Sequence, residues 1–166
     1  SINGVRMSSV EELYLKALKR MDRFISLGTT SIEAKSGYGL DTESELKSLE
    51  VIEKTNSNHC IDLAPTFMGA HAFPPEYEND HEGYVRLIIK DMIPRVAHQG
   101  IAKYIDVFCE EGYFSIDQTR SILECGREHG LAPRLHADEF NNFGASQLAS
   151  DIGAVSADHL MAIDDN

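Results

Sequence analysis

Five short apolar runs, each followed by a stretch of helical character, constrain this chain more than any other feature. The runs are Thr29 to Lys35, Ile61 to Phe67, Tyr104 to Cys109, Ala132 to His136 and Val155 to Asp158. Strands that alternate with helices imply a parallel sheet with right-handed crossovers. An open doubly wound sheet and part of a (β/α)8 barrel both satisfy that pattern. A whole barrel takes ~250 residues, so this α/β chain of 166 residues would supply roughly five of the eight strands, a partial barrel.

The intervening segments carry their own start and stop signals. Val10, Leu13, Tyr14, Ala17, Leu18, Met21 and Ile25 recur at helical spacing and predict an amphipathic helix over about 8–27. Thr42 and Glu45 read as a capping box for a helix that turns Leu46, Leu49 and Ile52 inward. A helix is expected over 82–98, with Pro94 kinking or interrupting it. Ser115 and Gln118 form a second capping box, and Gly130 suits the C′ position that ends that helix. Pro133 is tolerable only near the start of its strand. A short helix is expected over 144–151, ending near Gly153.

Composition narrows the partners. A net charge of −12 argues against nucleic acid, which needs clustered Lys and Arg, and against an anionic membrane surface. No apolar run approaches the ~20 residues of a membrane span. Three widely spaced cysteines, Cys60, Cys109 and Cys125, fit reduced thiols in the cytoplasm. None is flanked by an evident base, which argues against a thiol nucleophile. The first residue is not Met and the last three are Asp164-Asp165-Asn166, soon after a strand, so a piece of a longer protein is expected.

Chemistry gathers where the strands end. The first run leads into Lys35-Ser36-Gly37-Tyr38-Gly39, which lacks the spacing of a phosphate-binding P-loop. The second leads into Gly69-Ala70-His71, the third into Cys109-Glu110-Glu111, the fourth into His136-Ala137-Asp138-Glu139 and the fifth into Asp158-His159. An imidazole such as His136 is a common ligand for zinc and iron. Alone it would read as a core histidine; with Asp138, Glu139 and His159 nearby, the ligand reading is favoured. Glu139 is placed to position a water or accept its proton. His159 is a candidate base, second ligand or substrate contact, and Asp158 either orients a ring or accepts loop amides. Asp138 takes a structural role. His71 sits in a restricted loop and Tyr38 between two glycines, both positions from which a ligand can be met. His59, His81, His98 and His129 read as surface residues.

Five segments together closely resemble the imidazolonepropionase family of the amidohydrolase superfamily. They are residues 33–40 (Glu-Ala-Lys-Ser-Gly-Tyr-Gly-Leu), 65–72 (Pro-Thr-Phe-Met-Gly-Ala-His-Ala), 106–110 (Asp-Val-Phe-Cys-Glu), 136–140 (His-Ala-Asp-Glu-Phe) and 156–160 (Ser-Ala-Asp-His-Leu). Phe73 departs from the family, where a smaller aliphatic residue is usual. The resemblance implies a metal-dependent TIM barrel with one zinc or iron ion, of which residues 1–166 are the central part, lacking the first and last strands. It implies hydrolysis of the cyclic amide 4-imidazolone-5-propanoate to N-formimidoyl-L-glutamate in histidine degradation. His136 matches the metal-binding histidine, Tyr38 and His71 substrate-binding positions, Glu139 a contact to the ring or attacking water, and His159 an active-site histidine.

Strand 104–109 carries no lysine to bridge two metals, which favours a single ion. The family's His-x-His pair, its last-strand Asp and a substrate-binding arginine have no counterpart here, so residues 1–166 alone are expected to be inactive. The expected partner is a small-molecule substrate, and a homodimer is left open. Two alternatives stand: another amidohydrolase, such as a nucleobase deaminase, or a non-catalytic domain on the same scaffold.

Overall fold

The computed structural model describes residues 2–164; Ser1 and the terminal pair Asp165 and Asn166 lie outside the described residues. The helix expected over about 8–27 forms as α2 (Val10–Ser26), and a short helix α1 (Ile2–Met7) that was not expected comes before it. The separation of the two has a local cause. Ser9 takes an extended backbone and caps α2 in a reciprocal box with Glu12, at 3.2 and 2.8 Å.

Strand β1 (Ser31–Lys35) leads through a glycine loop into α3 (Thr42–Asn58). The expected Thr42–Glu45 capping box is not what forms. Asp41, one residue earlier, is the N-cap and accepts from the Ser44 amide at 2.8 Å. Glu45 is thereby free to reach back to the preceding loop.

Strand β2 (Asp62–Ala70) runs three residues beyond the expected end, with an irregular register between Phe67 and Ala70. Gly69 sits in that irregular stretch because a Cβ there would lie 2.6 Å from the Phe67 ring. The buried Tyr84 hydroxyl donates to the Gly69 carbonyl at 2.7 Å.

Helix α4 (His81–Leu87), a π-helical turn (Ile88–Met92) and α5 (Ile93–Gln99) form one continuous helical stretch. Pro94 thus interrupts the regular α-helix as expected, through a π-helical turn just before it rather than an end to the helical path. It lacks an N–H and crowds the carbonyl four residues back, and the turn before it widens to accommodate this.

Strand β3 (Tyr104–Cys109) feeds α6 (Ile116–Glu128), capped as expected by Ser115 and Gln118. Gly130, at φ +86°, ends α6 in a Schellman motif: its amide bonds Arg127 O and that of Leu131 bonds Gly126 O, both at 3.0 Å. Strand β4 (Ala132–Ala137), α7 (Ala145–Asp151) and β5 (Ser156–His159) complete the described chain.

The strands are all parallel and lie in the order β1-β2-β3-β4-β5. Sequential order excludes a doubly wound sheet, which reverses at a switch point. The sheet curls into half a barrel with helices outside. Alternation divides its faces. Leu63, Phe67, Ile105, Val107, Leu135 and Ala137 point outward into the buried apolar core. Glu33, Lys35, Thr66, Asp106, Arg134, His136 and Asp158 alternate with them and line the concave face. No described helix is long and apolar enough to cross a membrane.

Candidate active site

Parallel strands place all five carboxyl ends on one rim, so the loops after them meet there. The loop after β1 is built around Glu45, which is fully buried. Its carboxylate accepts from the amides of Gly37 (2.7 Å), Gly39 (3.1 Å) and Leu40 (2.9 Å). Gly37 takes φ +98°, and a Cβ there would lie 2.6 Å from the Met68 carbonyl; only glycine fits. Tyr38 is thereby pushed outward, 56% exposed.

His71 follows the end of β2. Its Nδ1 lies 2.8 Å from the Gly37 carbonyl, so that nitrogen carries the proton and donates. The His71 ring meets Tyr38 edge-on, with centroids 5.0 Å apart. Phe108 on β3 stands between His71 and His136, 6.2 Å from the first ring and 5.6 Å from the second. His136 and His159 follow at 5.0 Å, and His159 Nε2 lies 3.4 Å from Glu139 Oε2. All five residues singled out from sequence thus stand along one rim, Tyr38 with His71 at one end and His136, Glu139 and His159 at the other.

The turn after β4 is fixed by Asp138, whose carboxylate accepts four backbone amides. Phe143, Gly144 and Ala145 bond Oδ1 at 2.9, 3.0 and 3.0 Å, and Ser146 bonds Oδ2 at 2.9 Å. Burial alone would raise its pKa, but the Ser146 hydroxyl and these amides outweigh burial and hold it below the usual range. Glu110, at the end of β3, does the same for the next residues, accepting from the Phe140 amide at 2.9 Å and the Asn141 side chain at 3.1 Å. Its pKa is also lowered against the pull of burial. Asp138, His159 and Leu160 have φ of +48°, +77° and +56°. Such strained backbone persists where surrounding bonds enforce it; here Leu160 N bonds Ala137 O and Ala162 N bonds Asp138 O.

Below the rim lies an ionic layer that the sequence reading missed. Lys35 Nζ contacts Asp106 Oδ2 at 2.5 Å, Asp158 Oδ2 at 3.0 Å and Glu33 Oε2 at 3.3 Å. Asp106 is fully buried, and its Oδ1 lies 3.0 Å from His136 Nδ1. Glu33 continues the layer to Arg134 at 3.2 Å and Thr66 at 2.6 Å. Arg134 covers the Tyr104 ring. Burial would lower the Lys35 pKa, but Asp106 and its other acidic neighbours overcome this and raise it. The Asp158 carboxyl is held low against burial, chiefly by Lys35. The signal for Asp106 was a charge inside an otherwise apolar strand, which has to be paired to be buried.

Asp106, His136 and Asp158 offer ligand atoms within 4.8 Å of one another, a group that could hold an ion. The Lys35 ammonium already lies against both carboxylates. Of the three, the His136 imidazole is the donor that no cation contacts, and its chemistry fits a zinc or iron ligand.

One surface assignment and one reading of a cysteine's surroundings change. The His59 side chain is only 10% exposed and accepts from the Ile61 amide at 3.1 Å. Cys125 does have an imidazole nearby, His129 Nδ1 at 3.8 Å, but that nitrogen donates to the Cys125 carbonyl at 2.9 Å. Burial raises the Cys125 thiol pKa and pushes that of Cys109 up to about 11, so neither is an activated nucleophile.

Comparison with curated proteins returns imidazolonepropionases. The chain is 49% identical to that of Geobacillus thermodenitrificans (strain NG80-2) over 162 residues, 98% of this chain and 38% of the relative. It is 50% identical to that of Shouchella clausii (strain KSM-K16) over 158 residues, 95% of this chain and 35% of the relative. It is 47% identical to that of Desulfotalea psychrophila (strain LSv54 / DSM 12343) over 165 residues, 99% of this chain and 40% of the relative. No family model matches. The chain spans about 38% of the length of the curated relatives it matches, consistent with a fragment of an imidazolonepropionase.

Proposed function

We propose that this chain is the central part of the catalytic barrel of a metal-dependent hydrolase that opens the cyclic amide of 4-imidazolone-5-propanoate to N-formimidoyl-L-glutamate. The observation that carries this reading is identity of 47–50% to imidazolonepropionases along nearly the whole chain. The rim row Tyr38, His71, His136, Glu139 and His159 supports it chemically. The parent would act in the cytoplasm on a small molecule, without nucleic acid, and a homodimer is compatible with this role.

The chain's own residues divide the work. Tyr38, exposed on its glycine loop, binds the propanoate carboxylate through its hydroxyl. His71, its Nδ1–H committed to Gly37, presents Nε2 as an acceptor to a ring N–H. His136 is the ligand this segment contributes to the ion. When bound, a zinc or iron ion supplies Lewis acidity and lowers the pKa of water to near neutrality. Glu139 takes the proton of the attacking water, and His159 Nε2, 3.4 Å from Glu139 Oε2, is placed to share it and return it to the leaving ring nitrogen.

The test uses the full-length parent. Turnover of imidazolonepropionate is expected, with negligible deamination of cytosine or guanine. His136→Ala is expected to lose bound metal and activity together. Preferred turnover of a nucleobase would establish the deaminase alternative instead, and unchanged metal content and activity in His136→Ala would remove the assignment.

A further inference from the structure

Lys35, Asp106 and Asp158 come from β1, β3 and β5, the alternate strands that supply one layer of a barrel interior. Such layers are usually branched apolar side chains; this one is ionic. Asp106 is its hub. One oxygen faces the Lys35 ammonium at 2.5 Å and the other faces His136 Nδ1 at 3.0 Å.

An ionised carboxylate only accepts hydrogen bonds. Lys35 Nζ donates to Oδ2, and with Oδ1 as acceptor the bond to His136 forms when Nδ1 carries the proton. The lone pair of neutral His136 is then on Nε2. We propose that Asp106 and Lys35 are positioning residues that together set the tautomer of His136, so that its Nε2 is the atom offered at the rim. The inference rests on the ligand role proposed for His136, and outer partners of this kind typically change metal affinity roughly tenfold to a hundredfold.

The chemistry of an amide at position 106 makes the inference testable in the full-length parent. In Asp106→Asn, Lys35 can only donate and so takes the single amide oxygen. The amide NH2 then faces His136 Nδ1 and drives the proton to Nε2, the wrong tautomer for a ligand at the rim. Zinc affinity, measured by competition with a chromogenic chelator, is expected to fall roughly tenfold to a hundredfold. Adding Lys35→Met frees the amide oxygen to turn toward His136 Nδ1, and affinity is expected to recover at least about tenfold over the single variant. A general loss of structure would be worsened, not rescued, by the second substitution. Affinity within about twofold of wild type in Asp106→Asn, or a double variant no better than the single, would overturn the proposal.

The tautomer itself is read on metal-free wild-type parent by ¹⁵N NMR of labelled histidine above neutral pH, with His136→Gln used to assign the signal. A protonated Nδ1 is expected. A protonated Nε2 overturns the proposal even if no variant folds. Because this measurement needs neither metal nor turnover, its outcome is separate from that of the hydrolase reading.

Discussion

Replacing Asp138 by Asn tests how the rim is held. Asn shares the size of Asp and tolerates positive φ, so the backbone at +48° is not itself the perturbation. Oδ1 keeps its three amide partners, but the group at the Oδ2 position becomes an NH2 facing the Ser146 N–H. Losing one bond to a charged acceptor costs about 1.5–3 kcal/mol. The other three bonds weaken by roughly 1 kcal/mol each as they become neutral, a loss mostly offset because a charge no longer has to be buried. The net expectation is a loss of about 3 kcal/mol, or ~6–12 °C in Tm for a domain of this size. Asp138→Ala should lose at least about 3 kcal/mol more, because it removes the acceptor of the three amides that Asn keeps and adds the left-handed backbone cost. Urea and thermal unfolding of residues 1–166, with exposed Glu50→Gln as a control, measure both. An Asp138→Asn variant within ~0.5 kcal/mol of wild type, the ordinary range of a surface change, would refute this reasoning.

Glu45→Gln should destabilise the chain by about 1–3 kcal/mol, since one of three amides would face an NH2; in the parent it should raise KM more than it lowers kcat, because the Tyr38 loop binds substrate. An unchanged KM would detach Tyr38 from binding. Asp138, Asp158 and Glu110 all have pKa values lowered by folding. Each therefore contributes stability that is present above its unfolded pKa of ~4 and is lost as pH falls through its folded value. Urea unfolding across pH should show stability falling below about pH 4, and Asp138→Asn should flatten that slope; an unaltered slope would contradict its depressed pKa. Residues 1–166 alone should not turn over imidazolonepropionate even with added zinc, having one histidine where about three protein ligands are usual. Measurable turnover would overturn that.

The features legible in the sequence were those written locally. The five strands announced themselves as apolar runs, and Ser115, Gln118 and Gly130 bounded α6 within a few residues of one another. What escaped depended on partners far along the chain. Asp106 is paired with Lys35, 71 residues earlier, and with His136, 30 residues later, so no window on its own strand could reveal why a charge sits there. Glu45 was misread because Thr42 three residues before it mimics a capping box, whereas Asp41 is the stronger cap and the glycine loop the better partner for Glu45. The end of β2 was set too early because the Gly69 irregularity depends on the Phe67 ring folding back against it. The tyrosine and histidines of the rim were legible mainly through family resemblance; their spacing alone left ligand and loop readings both open.

The charged concave face has a further consequence, for aggregation. Among the described residues β1 and β5 each pair on one side only, and an open strand edge is a template for joining other chains. Here both edge strands carry inward-pointing charges, Glu33 and Lys35 on β1 and Asp158 on β5. A second copy docking edge to edge would have to bring its own charged side chains against this already paired layer. Inward-pointing charges of this kind blunt an open strand edge as a template for pairing.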